Sequence, residues 1–309
     1  MTLPKDEAQA DGGLKLIDRA VAKLKARDEP AARPEESGGQ AKTSYSTNDR
    51  DAPAPSLSTQ TEFSRCHLNS SALLQRGFIV PGQTRDRVLL EEYRHIKRAV
   101  LFKLDVDAAD DSSTARSRAV MITSAIDGEG KTFVSINLAF SLCGEINRGV
   151  ILIDGDVVRR GLSRELELID RPGLTDLLDG RAGNLAEVLV DFDGLDGLCV
   201  MPAGSIDARA DELLASPRMT ELLDELAEQY PDRVVLIDAP PITMTNEALT
   251  LERLVGHVIV VVLADKTPQH LVDQALEEIS PERFLGFVLN AASRNLIAEG
   301  YGYGYYASE

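Results

Sequence analysis

The chain is short of cysteine, histidine and positive charge, and it has no long apolar run. Its three cysteines, Cys66, Cys143 and Cys199, are scattered and odd in number. They form no CxxC pair and no zinc spacing, so a reducing, cytoplasmic setting is the expectation. Cys143 and Cys199 read as core residues. The four histidines are also scattered, which gives no support to a Ser/His/Asp hydrolase. Lys and Arg number 33 against 50 Asp and Glu, a net charge of −17. General nucleic-acid binding needs a basic footprint and is not expected. No apolar stretch reaches the ~18 residues of a membrane span. The longest, at residues 258–264, reads as a core strand. The polar start MTLPKDEAQADGG is unlike a signal peptide, so any membrane role is expected to run through a partner.

What the chain does have is RAVMITSAIDGEGKTFVSINLAFSLC at residues 118–143. Ala119-Val120-Met121-Ile122 reads as a buried strand and residues 124–130 as a turn. Lys131-Thr132 open a helix with apolar positions at Phe133, Ile136, Leu138, Ala139 and Leu142. Strand, Gly-rich turn, Lys-Thr and helix are the layout of a phosphate-binding P-loop. Gly128 and Gly130 let the backbone curl until several N–H groups converge on one anion, and the helix N-terminus adds partial positive charge. Lys131 is placed to reach the β- and γ-phosphates, and the Thr132 hydroxyl to ligate Mg²⁺. Ala125 stands where such loops usually begin with Gly.

A composition of 43% hydrophobic and 27% charged residues suits a globular protein of one or two domains. Residues 1–27 read as a disordered start followed by a short amphipathic helix at 14–26, with Leu14, Ile17, Val21 and Leu24 on one stripe. Residues 28–84 read as a flexible linker, rich in Pro, Ser, Thr, Gly, Ala and acids, with Phe78-Ile79-Val80 tacking its end to the domain. A domain is expected over residues 85–290. It opens with a helix over 85–104 whose Leu89, Tyr93, Ile96 and Val100 share a face. Strands are expected at 149–153, 198–201, 234–237, 257–263 and 284–290. Helices are expected at 211–230, 246–254 and 268–279. The alternation predicts an α/β fold, a mostly parallel, doubly wound sheet. Residues 291–309 form a tail in which four of the seven tyrosines, Tyr301, Tyr303, Tyr305 and Tyr306, sit together between glycines.

Three strand ends carry chemical groups: residues 128–132, Asp154 with Asp156, and Asp238. The C-termini of parallel strands line one crevice. Lys131, Thr132 and these carboxylates can therefore meet around a metal-bound nucleotide, with one acid accepting a proton from an attacking hydroxyl.

The motifs SAIDGEGKT, ILIDGDVVRR and VVLIDAPP resemble the Walker A, A′ and B motifs of the bacterial protein-tyrosine kinases. More closely, the chain resembles the exosortase-associated tyrosine autokinases of exopolysaccharide gene sets. EEYRHIKR, MPAG, the stretch ending VVLIDAPP and the tyrosine-rich end carry the likeness over about residues 85–309, and LKLIDRAVAKL adds a weaker echo at 14–25. The resemblance implies a P-loop NTPase fold with deviant Walker motifs, of the MinD/ParA-like superfamily. It also implies ATP and Mg²⁺ as cofactors. The nucleotide would sit on Ile126, Asp127, Gly128, Glu129, Gly130, Lys131, Thr132 and Phe133, with Asn290 near the adenine. Thr132, Asp154 and Asp238 would hold the metal, and Asp154 or Asp156 would help activate the tyrosine. Glu91, Arg94 and Lys97 match a subunit-contact motif of a homo-oligomeric ring. Its members would phosphorylate one another's tail tyrosines under the control of the cytoplasmic segment of a membrane polysaccharide co-polymerase, at the inner face of the membrane. Asn290 to Tyr301 spans at most about 35–40 Å when extended, enough to enter a neighbour's site.

Three positions depart from the family pattern: Asp127 replaces Pro, Val158 precedes an Arg that usually stands one residue earlier, and Lys97 replaces Arg. Two other readings remain. A MinD/ParA-like positioning ATPase would carry a signature Lys where Ile126 stands. A nucleotide-dependent oligomeric switch without kinase activity would bind ATP and gate a polysaccharide machine.

Overall fold

The structure, a computed structural model, describes residues 63–108, 115–146 and 148–292. The helix expected at 14–26, the linker up to residue 62 and the tail tyrosines lie outside the described residues.

Eight strands form one sheet in the order β1-β4-β5-β3-β6-β2-β7-β8. They are β1 (Ser64–Cys66), β2 (Ala119–Ser124), β3 (Gly149–Asp154), β4 (Val190–Phe192), β5 (Leu198–Met201), β6 (Arg233–Asp238), β7 (His257–Leu263) and β8 (Phe284–Asn290). Every neighbouring pair is parallel except β4 with β5. β2 and β3 are buried at all of their positions, as strands covered on both faces must be. Alternate side chains feed two cores: Met121, Ile151 and Ile237 on one face, Val120, Leu152 and Leu236 on the other.

The helices are α1 (Ser70–Gln75), α2 (Arg87–Ala108), α3 (Lys131–Leu142), α4 (Gly161–Glu165), α5 (Leu174–Leu178), α6 (Leu185–Val188), α7 (Ala210–Leu214), α8 (Pro217–Gln229), α9 (Asn246–Leu254) and α10 (Gln269–Glu277). A single helix was expected over 211–230. The chain breaks it, because Ser216 is extended and Pro217 opens α8 at its first position. Proline disfavours helical backbone at the residue before it, and its missing N–H costs nothing at a helix start.

The linker boundary at residue 84 needs correction. Residues 63–84 belong to the folded unit. β1 extends the sheet beyond β4, and Leu68, Leu73, Phe78, Ile79 and Val80 are buried. The attachment is polar as well as apolar. Asn137, fully buried on α3, accepts a hydrogen bond from Ile79 N at 2.6 Å and donates to the Tyr93 hydroxyl of α2 at 3.4 Å. One amide thus ties the incoming segment and α2 to the helix that follows the P-loop. Phe78 also packs on Phe133, ring centres 4.9 Å apart.

Candidate active site

The crevice lies at the C-terminal ends of β2, β3 and β6. Asp154 and Asp238 are register partners on adjacent parallel strands, so their side chains leave the sheet on one side, about 4.8 Å apart at the backbone. Ile122 of β2 is the partner of Asp238 on its other side, and the P-loop springs from β2 two residues later. Strand register thus brings together Asp154 and Asp238, 84 residues apart in sequence, beside a P-loop whose Thr132 is 106 residues from Asp238.

The P-loop closes on itself. Gly128 and Gly130 have φ of 78° and 92°, left-handed values that favour glycine. Asn290, at the end of β8, packs against Gly130 where a side chain would otherwise project, and its Nδ2 donates to Glu129 O at 2.8 Å. Glu129 is fully buried. Its Oε2 accepts from Ile126 N at 2.8 Å, and its Oε1 accepts from the Thr267 hydroxyl and, at 3.4 Å, from Leu263 N. It is a staple between the loop and the end of β7. Ile126 therefore has its N–H engaged inside the loop, and the Phe133 ring faces Phe78. Any contact of these two with a nucleotide would come through other backbone or side-chain atoms.

The acids differ in how they are held. Asp238 Oδ2 accepts from the Thr132 hydroxyl at 2.7 Å. The Ser135 hydroxyl lies 3.0 Å from Asp238 Oδ1 and 2.9 Å from Lys131 O, and its one proton serves one of them. Asp154 Oδ2 accepts from Ser163 N at 2.8 Å and from the Ser163 hydroxyl at 2.6 Å. Its Oδ1 is buried without a hydrogen-bond partner. Asp156 accepts one bond, from Arg159 N at 3.2 Å.

Burial, followed by repulsion from Asp238, pushes the Asp154 carboxyl up to about 8. Burial lifts Asp238 to about 6 against the hydroxyls of Thr132 and Ser135. Asp156 is raised too, mainly by burial, with the Arg159 N–H and Lys131 opposing. Burial lowers the Lys131 ammonium, while Asp238, Asp156 and Glu129 favour its charged form. Buried carboxylates packed this way call for a cation.

The residues fit Mg²⁺. The unpartnered Asp154 oxygen, Asp238 and the Thr132 hydroxyl are hard oxygen donors, Thr132 in contact with Asp238 and Asp154 its register partner on the next strand. A closed cage of three or more acidic, His or Cys ligands is not found among the described residues. Mg²⁺ does not need one, since it binds through one or two carboxylates, waters and substrate phosphates.

Three side chains at the site carried no sequence signal. Ser135, Ser163 and Thr267 each stand in or beside a helix, where a hydroxyl is unremarkable until its distant acid is known. Ser163 reaches Asp154 because the chain turns sharply at Arg160, whose φ is 53°. The Arg160 guanidinium holds that turn by donating to Ile169 O and Gly204 O. Of the expected subunit contacts, Glu91 and Arg94 form an ion pair on the exposed side of α2. Lys97 is mostly buried and paired with Glu145 of its own chain.

No family model matches the chain. Among curated proteins it is similar to the tyrosine-protein kinase ptk of Acinetobacter johnsonii, 28% identical over 219 residues, 70% of this chain and 28% of that protein. It is also similar to the tyrosine-protein kinase YwqD of Bacillus subtilis, 28% identical over 243 residues, 78% of this chain and 95% of that one. The chain spans under a third of the length of relatives such as ptk. Among solved structures, the kinase domain of the Escherichia coli tyrosine kinase ETK superposes with a TM-score of 0.56 at 26% identity, covering 78% of this chain and 94% of that domain. Its motifs, its sheet and these likenesses agree: the chain is similar to the bacterial tyrosine-protein kinases and is built on the P-loop fold.

Proposed function

We propose that the chain is an ATP- and Mg²⁺-dependent protein-tyrosine kinase that phosphorylates the tail tyrosines of neighbouring copies in a ring and so regulates exopolysaccharide synthesis. The observation that carries the reading is the group of buried Lys131, Asp154, Asp156 and Asp238 with half-buried Thr132 at the C-terminal ends of the strands, in a chain that also carries the tyrosine cluster Tyr301, Tyr303, Tyr305 and Tyr306.

The geometry supports the following roles. The loop N–H groups and Lys131 bind the phosphates. Thr132, Asp154 and Asp238 hold Mg²⁺, which when bound supplies charge stabilisation to the transferring phosphoryl group. Asp156 has the fewest internal partners of the three acids, and burial raises its affinity for a proton. It takes the tyrosine proton as the phenolic oxygen forms its bond to the γ-phosphorus and the bond to the β–γ bridging oxygen breaks, releasing ADP. Phosphate on the tail adds about −1.5 to −2 charges per site, and on a chain at −17 this repulsion loosens the ring. The membrane co-polymerase segment is the activator. No described helix is long and apolar enough to cross a membrane.

The test is incubation of the purified chain with ATP and Mg²⁺ beside Lys131→Met, with phosphate mapped by mass spectrometry. Phosphotyrosine at the four tail positions in the parent chain alone supports the reading. None, even with the cytoplasmic segment of the membrane partner added, refutes it in favour of a nucleotide switch.

A further inference from the structure

Two of the departures from the family pattern meet in the structure. Asp127 replaces the usual Pro in the P-loop, and Arg159 stands one residue later than usual in the A′ motif. Arg159 Nη1 forms an ion pair with Asp127 Oδ1. The same oxygen lies 3.9 Å from Lys131 Nζ. One carboxylate therefore sits between the ammonium that binds phosphate and a guanidinium from the opposite wall of the crevice. The backbone of Arg159 is anchored there by its N–H bond to Asp156 Oδ1 at 3.2 Å. Val158, at the position the Arg usually takes, points outward and is 61% exposed.

We propose that Arg159 binds the terminal phosphate of the nucleotide, and that Asp127 is an internal counter-anion that holds Arg159 until that phosphate displaces it. The inference deepens the nucleotide-binding reading above and rests on it. A carboxylate bridging a Lys and an Arg makes the contacts a terminal phosphate makes, with less charge and fewer acceptor oxygens. A planar guanidinium prefers the phosphate, which it can grip with two parallel bonds. The switch needs no unfolding, because the side chains of Arg159 and Asp127 are 52% and 34% exposed. Other nearby groups are committed elsewhere. Glu129, the loop's second acid, is saturated by Ile126, Leu263 and Thr267. The Arg160 guanidinium is spent on two carbonyls, and Arg164 Nη2 donates to Arg159 O.

The arrangement has two consequences. The terminal phosphate gains a second cation beside Lys131, so Arg159 distinguishes ATP from ADP. Asp127 competes with every incoming phosphate, so it weakens nucleotide binding.

Calorimetric titration of the full chain with Mg²⁺–ATP and with Mg²⁺–ADP tests both. Arg159→Ala is expected to weaken ATP binding about tenfold and ADP binding about twofold or less, with Arg159→Lys recovering part of the loss. Asp127→Asn is expected to tighten ATP binding about three- to fivefold at low salt, the scale of a half-exposed ion pair. That gain should vanish in the double variant with Arg159→Ala. Equal losses for ATP and ADP in Arg159→Ala, or unchanged or weaker ATP binding in Asp127→Asn, would overturn the inference. A parent chain that binds neither nucleotide refutes the reading of the whole site. A parent chain that binds both without making phosphotyrosine refutes only the kinase, and the affinity ratios still decide the role of Arg159.

Discussion

Replacing Asp154 by Asn should stabilise the protein while removing a proposed metal ligand. In the fold the carboxyl holds its proton up to about pH 8; unfolded, it would lose it near 3.8. Between those values the folded chain binds more protons than the unfolded one, so stability falls as pH rises through that window. Each pH unit costs about 1.4 kcal/mol, which at pH 7 gives a ceiling of about 4 kcal/mol. Relaxation and water entry lower this, and ~2 kcal/mol is the working figure. Asn keeps the geometry. Its carbonyl oxygen can accept from Ser163, and its amide takes the place of the unpartnered Oδ1. Asn has no proton to lose, so the variant escapes the cost. At about 2–4 °C per kcal/mol for a domain of this size, Asp154→Asn should melt ~4–8 °C above the parent at pH 7 in EDTA. The gap should shrink towards pH 4 and widen towards pH 8. With Mg²⁺ and ATP the order should narrow or reverse, because ligand binding stabilises only the chain that retains its site. Thermal melts at pH 5, 6, 7 and 8, with and without Mg²⁺–ATP, make the comparison. Coincident melts across this range in EDTA, or a gap largest at pH 5, would refute the argument.

Other consequences are more local. Asn137→Ala leaves the buried Ile79 N–H without its acceptor and should cost ~2 kcal/mol in urea unfolding, with residues 63–84 gaining protease sensitivity first. Glu129→Ala removes the staple from three donors, and ATP affinity should fall by about tenfold as the loop loses its pre-set shape. Phosphorylated chain and a form with all four tail tyrosines changed to Phe should differ in oligomer mass, the phosphorylated one being smaller; equal masses would exclude charge repulsion as the means of release.

The parts of the fold that read clearly from sequence are those with one dominant signal. β5, β7, β8 and α9 lie at their expected residues, because a short apolar run, β-branched in β7, or a 3.6-residue period specifies them locally. β1 and α1 did not show. Ser-Arg-Cys has no apolar alternation, and its strand exists only because β4 offers an edge. Phe78-Ile79-Val80 looked like a small anchor because its polar partner, Asn137, is on another element. The same limit applies at the site. Lys131, Thr132, Asp154 and Asp238 are legible since each ends a strand or begins a helix. Ser135 and Ser163 are not, since their meaning lies in acids that only strand register brings near. The contact between Asp127 and Arg159 is the sharpest case: each is an irregularity in its own motif, and only three dimensions make them a pair.

The hydrogen bond from Asn290 to Glu129 O has a mechanical reading. The last strand ends by gripping the backbone of the phosphate loop, and the tyrosine-bearing tail begins one residue later. The point where the tail is rooted is therefore part of the wall of its own chain's site. In the assembly proposed above, a phosphate that draws the Glu129 peptide inward would pull on that root, and a tail engaged by a neighbour would pull back on the loop. Under that proposal, tension in one tail would reach the nucleotide grip of the subunit that owns it, and adjacent sites would be joined by a tether.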